Sequence, residues 1–154
     1  MRVVVQRVSR ARVVVDGVTI GAIERGLVLL VGFGQGDGEG ECAWMAHKIA
    51  GLRVFEDTAG LMNAAITDVR GGVLAVPNFT LLADCRRGRR PSFAGALAPE
   101  AAEPLFRRFV ELLTTHLGTV ASGRFGATMS VELVNDGPVT LVIDSDRSPE
   151  TNSP

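Results

Sequence analysis

Apolar residues crowd the first third of the chain in short runs separated by one or two polar positions. Arg2 to Val8 is dense in valine and predicts a strand buried on at least one face. Arg12 to Val15 and Val18 to Ile23 predict two strands of a hairpin. Asp16-Gly17 between them is a strong two-residue turn signal. Glu24-Arg25-Gly26 makes the next turn, and Leu27 to Phe33 is an almost unbroken apolar strand, expected at the centre of the sheet. The segment Gly34 to Gly40 alternates glycine with polar residues and lacks the Lys-Ser/Thr ending of a phosphate-binding loop, so it reads as a flexible surface loop.

The period then changes. Cys42, Met45, Ala46, Ile49 and Leu52 recur at helical spacing, predicting a helix over Glu41 to Val54 with one face on the sheet. Phe55 to Arg70 is irregular, with a turn at Asp57 to Gly60 and room for a short strand near Leu61 to Ala65. Val73 to Val76 is a further strand. A second helix is expected from Pro99 to Leu117, with proline at its first position and Gly118 as its stop. Leu105, Phe106, Phe109, Val110, Leu112 and Leu113 form its apolar stripe, and Pro104 marks a kink or a start one turn later. Strands follow at Thr119 to Ala121, Thr128 to Asn135 and Val139 to Asp144, and the polar residues 145–154 read as a disordered tail. The order predicts an α+β fold, with a curved, mostly antiparallel sheet and two helices against it, in one domain over 1–144.

Composition narrows the function. The net charge is −1, so binding to a polyanion has to be local rather than a property of the whole surface. Two cysteines without metal-ligand spacing, and no charged-apolar-small order at the start, fit a reduced, soluble, cytoplasmic protein. No apolar run approaches the length of a membrane span. Neither His47 nor His116 has carboxylates or thiols at ligand spacing, so no metal and no cofactor is expected.

Two polar stretches carry the candidate chemistry. The first leaves the Val73 to Val76 strand at Pro77-Asn78-Phe79-Thr80 and enters a loop with Arg86, Arg87, Arg89 and Arg90. A buried strand ending in amide and hydroxyl groups beside guanidinium forks suits an anionic substrate. A plain solvated loop is the other reading. The second is Asn135-Asp136-Gly137-Pro138-Val139-Thr140, which reads as a turn between strands, with a proline open to either isomer. Arg7, inside an apolar strand, has to reach solvent, a carboxylate or a backbone carbonyl.

Taken together, Gln6-Arg7-Val8, Asp16-Gly17, Arg53-Val54-Phe55-Glu56-Asp57, Gly60-Leu61-Met62-Asn63, Phe79-Thr80-Leu81, Gly88-Arg89-Arg90-Pro91-Ser92-Phe93, Gly123-Arg124-Phe125-Gly126-Ala127 and Asn135 to Thr140 resemble the D-aminoacyl-tRNA deacylases, in the same order and spacing from Met1 to Asp144. The resemblance implies the family's barrel-like fold and a homodimer with active sites at the subunit interface. It implies a translation proofreading enzyme that hydrolyses the ester of a D-amino acid, or glycine, at the 3′ end of tRNA. It implies that Gly137-Pro138, in the cis form, enters the other subunit's pocket and excludes L-amino acids, with Arg7 supporting it. By the same resemblance the backbone around Phe79 and Thr80 holds the developing oxyanion, and a ribose hydroxyl of the RNA assists. The arginine loop, with Lys48, is expected to meet tRNA phosphates.

Thr80 leaves two further readings open: direct attack by its hydroxyl, for which no base stands near in sequence, and a turn or capping hydroxyl. One departure stands out. Pro77-Asn78 replaces the family's usual Ser-Gln, and a related deacylase group with relaxed chiral selection resembles Pro-Gln there. Three alternatives follow: relaxed selection, a non-catalytic tRNA-binding module, and a small-ligand-binding dimer.

Overall fold

The computed structural model describes residues 1–145 of the chain. In chain order the elements are β1 (Arg2–Val15), β2 (Val18–Ile23), β3 (Gly26–Gly32), α1 (Glu39–Ala50), β4 (Arg53–Glu56), β5 (Met62–Ala65), β6 (Gly72–Pro77), a 3-10 turn (Phe79–Leu82), α2 (Pro99–Leu117), β7 (Val120–Ser122) and β8 (Ser130–Asp144). The main sheet runs β2-β1-β3-β6-β7, with β8 on the other edge of β1. β1 pairs antiparallel with β2, β3 and β8, while β3-β6 and β6-β7 are parallel. A Cβ added to Gly21 of β2 would lie 3.1 Å from the Ser122 carbonyl oxygen of β7, so the ends of the sheet curl together and nearly close a barrel. The small β4-β5 hairpin stands apart from it.

The barrel has two cores because its central strands are covered on both faces. Val8, Ala11, Val13, Val28, Leu74 and Val76 fill the interior. Val3, Val5, Leu27, Leu29, Val31, Val73 and Ala75 face outward against Cys42, Met45, Ala46 and Ile49 of α1 and Phe106, Phe109 and Leu113 of α2. That double burial is why β3 reads as one apolar run rather than an alternation. Each large side chain so buried contributes about 1.5–3 kcal/mol.

Several expectations are corrected by long-range pairing. The two predicted strands at Arg2 and Arg12 are one 14-residue strand, because β8 pairs along it from Arg2 to Val14. The first helix ends at Ala50, not Val54. Gly51 caps it, and Arg53-Val54 join β4 opposite β5. The helix from Pro99 keeps its predicted bounds and runs through Pro104, whose missing amide leaves only the exposed Glu100 carbonyl without its usual partner. The Gly34–Gly40 loop is anchored rather than free: Gly34 donates 2.6 Å to the nearly buried Asp37 carboxylate and bridges to Ala96. Ser145, assigned to the tail, is buried and its amide donates to the Met1 carbonyl at 2.9 Å. The tail expected over 146–154 lies outside the described residues. No helix among the described residues is long and apolar enough to cross a membrane.

Cys42 lies on the buried face of α1, where burial first, then Asp37 and Glu41, push its thiol up to about 11. A raised value favours the protonated fold. That contribution is complete below the unfolded thiol's value of 9.0 and is lost as pH rises through about 11. Cys85 is exposed. Titration of the folded protein with a thiol reagent near neutral pH is therefore expected to modify Cys85 rapidly and Cys42 only after denaturation. Rapid reaction of both thiols in the folded state contradicts this placement.

Candidate active site

β6 ends at Pro77, paired beside Val31 of β3, and the Asn78 amide donates 2.7 Å to the Val31 carbonyl. The chain then tightens into the 3-10 turn. Gly32 makes this possible, since a Cβ there would sit 2.5 Å from Leu82 Cδ2 and 2.9 Å from the Asn78 carbonyl oxygen. Arg2 braces the turn from behind, donating 3.1 Å to the Leu81 carbonyl while its fork holds Asp144 at 2.7 and 3.0 Å. The amides of Phe79 and Thr80 open the turn, where a helical segment has no carbonyl of its own to offer them. Thr80 is exposed, and its hydroxyl donates 2.5 Å to Asn78 Oδ1.

Beside this turn lies a cavity of about 630 Å³. β3 and the end of β6 form its floor through Val31, Gly32, Phe33, Val76, Pro77 and Asn78. Ala96 to Pro99 and Phe125 to Ala127 form its walls, and Phe79 and Phe93 also line it. Among the described residues the lining contains no titratable side chain, and no group of three His, Cys, Asp or Glu gathers elsewhere as a metal site. His47 and His116 meet each other instead, edge to face at 5.9 Å.

The second polar stretch is not a turn. Asn135 to Val139 lie within β8, and its pairing with β1 skips from Val8↔Asn135 to Gln6↔Thr140. Four residues of β8 thus oppose Arg7 alone, and the surplus bulges outward. Asn135 closes the base of the bulge, its amide donating to the carbonyls of Arg7 at 3.1 Å and Val139 at 3.0 Å. Arg7, 6% exposed, fills it. Its guanidinium donates to the carbonyls of Val54 (2.6 Å) and Asp136 (3.3 Å) and pairs with the Asp136 carboxylate at 3.3 Å. Of the three routes expected for Arg7, two are used, a carboxylate and a backbone carbonyl. Gly137 has φ +117°, and a Cβ on it would lie 2.6 Å from Arg7 Nη2. The Gly137–Pro138 peptide is cis and both residues are exposed.

Within one chain these two clusters stay apart. Arg2, which touches the 3-10 turn, and Arg7, under the bulge, lie roughly 17 Å apart along β1 at about 3.4 Å per residue. Neither Gly137 nor Pro138 lines the cavity. The arginine loop is also less uniform than expected. An Asp84–Ser92 bridge closes its base, and Arg86 is bound to Asp84 through side chain and backbone at 2.7–3.0 Å. That pairing holds the Asp84 carboxyl far below the usual range, with the Arg86 side chain the main cause. Arg87, Arg89 and Arg90 are exposed. Lys48 lies over the Trp44 ring at 5.8 Å, away from the cavity lining.

Residues 4–144 match the family model described as D-Tyr-tRNA(Tyr) deacylase. The chain belongs to this family. A protein of Thermotoga petrophila named D-aminoacyl-tRNA deacylase is 53% identical over 147 residues, covering 96% of this chain and 99% of that protein. A solved structure described as c-Myc DNA Unwinding Element Binding Protein is 39% identical and superposes with a TM-score of 0.89, covering 94% of this chain and 98% of that one. A structure of a probable eukaryotic D-amino acid tRNA deacylase, 16% identical, has a TM-score of 0.80 over 92% of this chain and 97% of that one, and so shares the fold.

Within this deacylase fold, Arg2, Phe93 and Met129 escaped the residue-by-residue reading although they brace or line the site. Arg2 and Met129 sit on strands in ordinary patterns. Phe93 was visible only as part of a family motif. No local signal marks a residue whose role comes from contact with a segment far along the chain.

Proposed function

We propose that the protein hydrolyses the ester of D-aminoacyl-tRNA and glycyl-tRNA while sparing L-aminoacyl-tRNA, as a homodimer in which Gly137-Pro138 of one subunit enters the cavity of the other. The observation that carries this reading is the braced bulge itself. An exposed Gly-Pro peptide held by Arg7 and Asn135, outside its own chain's cavity, is built to act on something other than that cavity. Placed over a second copy's pocket, its backbone carbonyls crowd the side-chain position of an L-residue and leave room for a D-residue or for glycine.

The chemistry is economical. A water oxygen attacks the ester carbonyl carbon, and the oxyanion is held by the Phe79 and Thr80 amides. The bond to the ribose oxygen then breaks, and the water proton ends on that departing oxygen, giving free amino acid and a tRNA diol. The adjacent ribose hydroxyl assists proton movement, because the cavity lining supplies no side-chain base. This ranks above direct attack by Thr80, whose proton points to a non-basic amide oxygen. Arg87, Arg89 and Arg90 hold RNA phosphates, and Arg86 contributes less because Asp84 already pairs it.

Initial rates with matched D-, L- and glycyl-tRNA test the reading. Rapid cleavage of the D and glycyl esters with the L ester preserved is the expected result. Comparable cleavage of the L ester would place this chain, with its Pro77-Asn78, among relaxed deacylases. Survival of all three esters would leave an RNA-binding module.

A further inference from the structure

Phe79 and Phe93 are exposed where apolar residues usually are not, at 57% and 39%. Their rings meet edge to face, with centroids 5.1 Å apart at 68°. Both line the cavity while staying exposed, so the pair stands at its rim. The loop between them returns through the Asp84–Ser92 bridge, which presents Arg87, Arg89 and Arg90 in the same lobe. Among the described residues none of these three has an ion pair.

An uncovered aromatic surface beside unneutralised guanidinium groups matches one occupant best. A protein partner would have to desolvate three like charges to cover the two rings, which is costly without partners for each. A single-stranded nucleic acid supplies a phosphate for each arginine and a flat base for the rings. Resting on the deacylase reading above, we propose that the Phe79–Phe93 pair is a stacking platform for the base of the nucleotide preceding the terminal adenosine of tRNA. The three free arginines hold the backbone phosphates of the same unpaired 3′ strand. The platform holds the base by its face, and because tRNAs end in the same sequence it meets the same base in every substrate.

The test compares two substrates, D-aminoacyl-tRNA and D-aminoacyl-adenosine, which lacks the preceding nucleotide. Phe93→Leu keeps apolar bulk and removes the ring, while Phe93→Tyr keeps the ring. The ratio of kcat/KM for tRNA over adenosine is expected to fall about tenfold in the leucine variant, mainly through KM, and to hold in the tyrosine variant. The unaltered protein should show the same loss on a tRNA that is abasic at the penultimate position, and the leucine variant should lose nothing further on it. An equal fall on both substrates, an unchanged ratio, or a shift of oligomeric state in the leucine variant overturns the platform. If the unaltered protein cleaves neither substrate, the deacylase reading fails. The platform is then judged by the Kd of a CCA-ended single-stranded oligonucleotide, expected about tenfold weaker for Phe93→Leu. An equal Kd removes it.

Discussion

Gly137→Ala is expected to lower kcat/KM on D-aminoacyl-tRNA about a hundredfold and to erode discrimination against the L ester. A methyl group there would lie 2.6 Å from Arg7 Nη2, 3.1 Å from Val139 Cγ2 and 3.3 Å from the Val139 amide nitrogen, on a backbone at φ +117°. The guanidinium is not a free end that can step aside. It is held by the Val54 carbonyl, the Asp136 carbonyl and the Asp136 carboxylate, with the side chain almost fully buried. Either Arg7 leaves those partners or the bulge shifts, and under the proposed function a displacement near 1 Å of the element that positions the substrate costs about two decades in rate. Folding stability should fall by about 1–3 kcal/mol from the strained backbone alone.

Pairing the substitution with Arg7→Met separates the two causes. If collision with the guanidinium dominates, the double variant loses less than the sum of the single losses. Kinetics on D and L esters beside thermal unfolding measure all of this. A Gly137→Ala enzyme with unchanged rate and chiral ratio would remove the bulge from the catalytic account.

The largest effect on folding is expected from Gly26→Ala, a loss of about 3 kcal/mol or more. A Cβ at Gly26 would lie 1.9 Å from the Gly72 carbonyl oxygen and 2.7 Å from both its carbonyl carbon and its nitrogen. All three are backbone atoms of the facing parallel strand, so no rotamer change relieves the overlap. Gly26↔Gly72 begins the β3-β6 ladder, and separating it displaces the strand that ends at Pro77 and the 3-10 turn that follows it. Activity should therefore fall with stability. Gly40→Ala is the fitting comparison. It lies in the first turn of α1 with nothing within 4 Å of its added methyl, and should gain about 0.5–1 kcal/mol. Urea unfolding of the two variants decides the matter: a Gly26→Ala midpoint within experimental error of the parent would show that the strands part at little cost.

What the sequence determined by itself was whatever depends on neighbours in the chain. Asp16 and Gly17 have φ 49° and 77°, the left-handed pair that the dipeptide signals, and they join β1 to β2. Pro99 and Gly118 bound α2 because one needs no amide partner and the other reaches φ +81° without a side chain. The doubly buried β3 declared itself by its unbroken apolar run. The spaced motifs together pointed to the deacylase family, which the family match then established.

Tertiary structure decided the rest. Asn135 to Pro138 has the composition of a turn, and only pairing of both flanks to the same long strand makes it a bulge opposite Arg7. The end of α1 is settled in a related way, since Arg53-Val54 belong to β4, which pairs with β5. Arg86 looked equivalent to its three neighbours until the loop folded back and set it on Asp84. The cavity joins β3, β6, the segment before α2 and the segment after β7, residues up to about a hundred positions apart. Local propensity spans only a few residues, so it fixes turns, caps and periodicity. Which edge a strand pairs with, and which charge meets which, is settled by burial and hydrogen bonding among segments that the chain brings together only on folding.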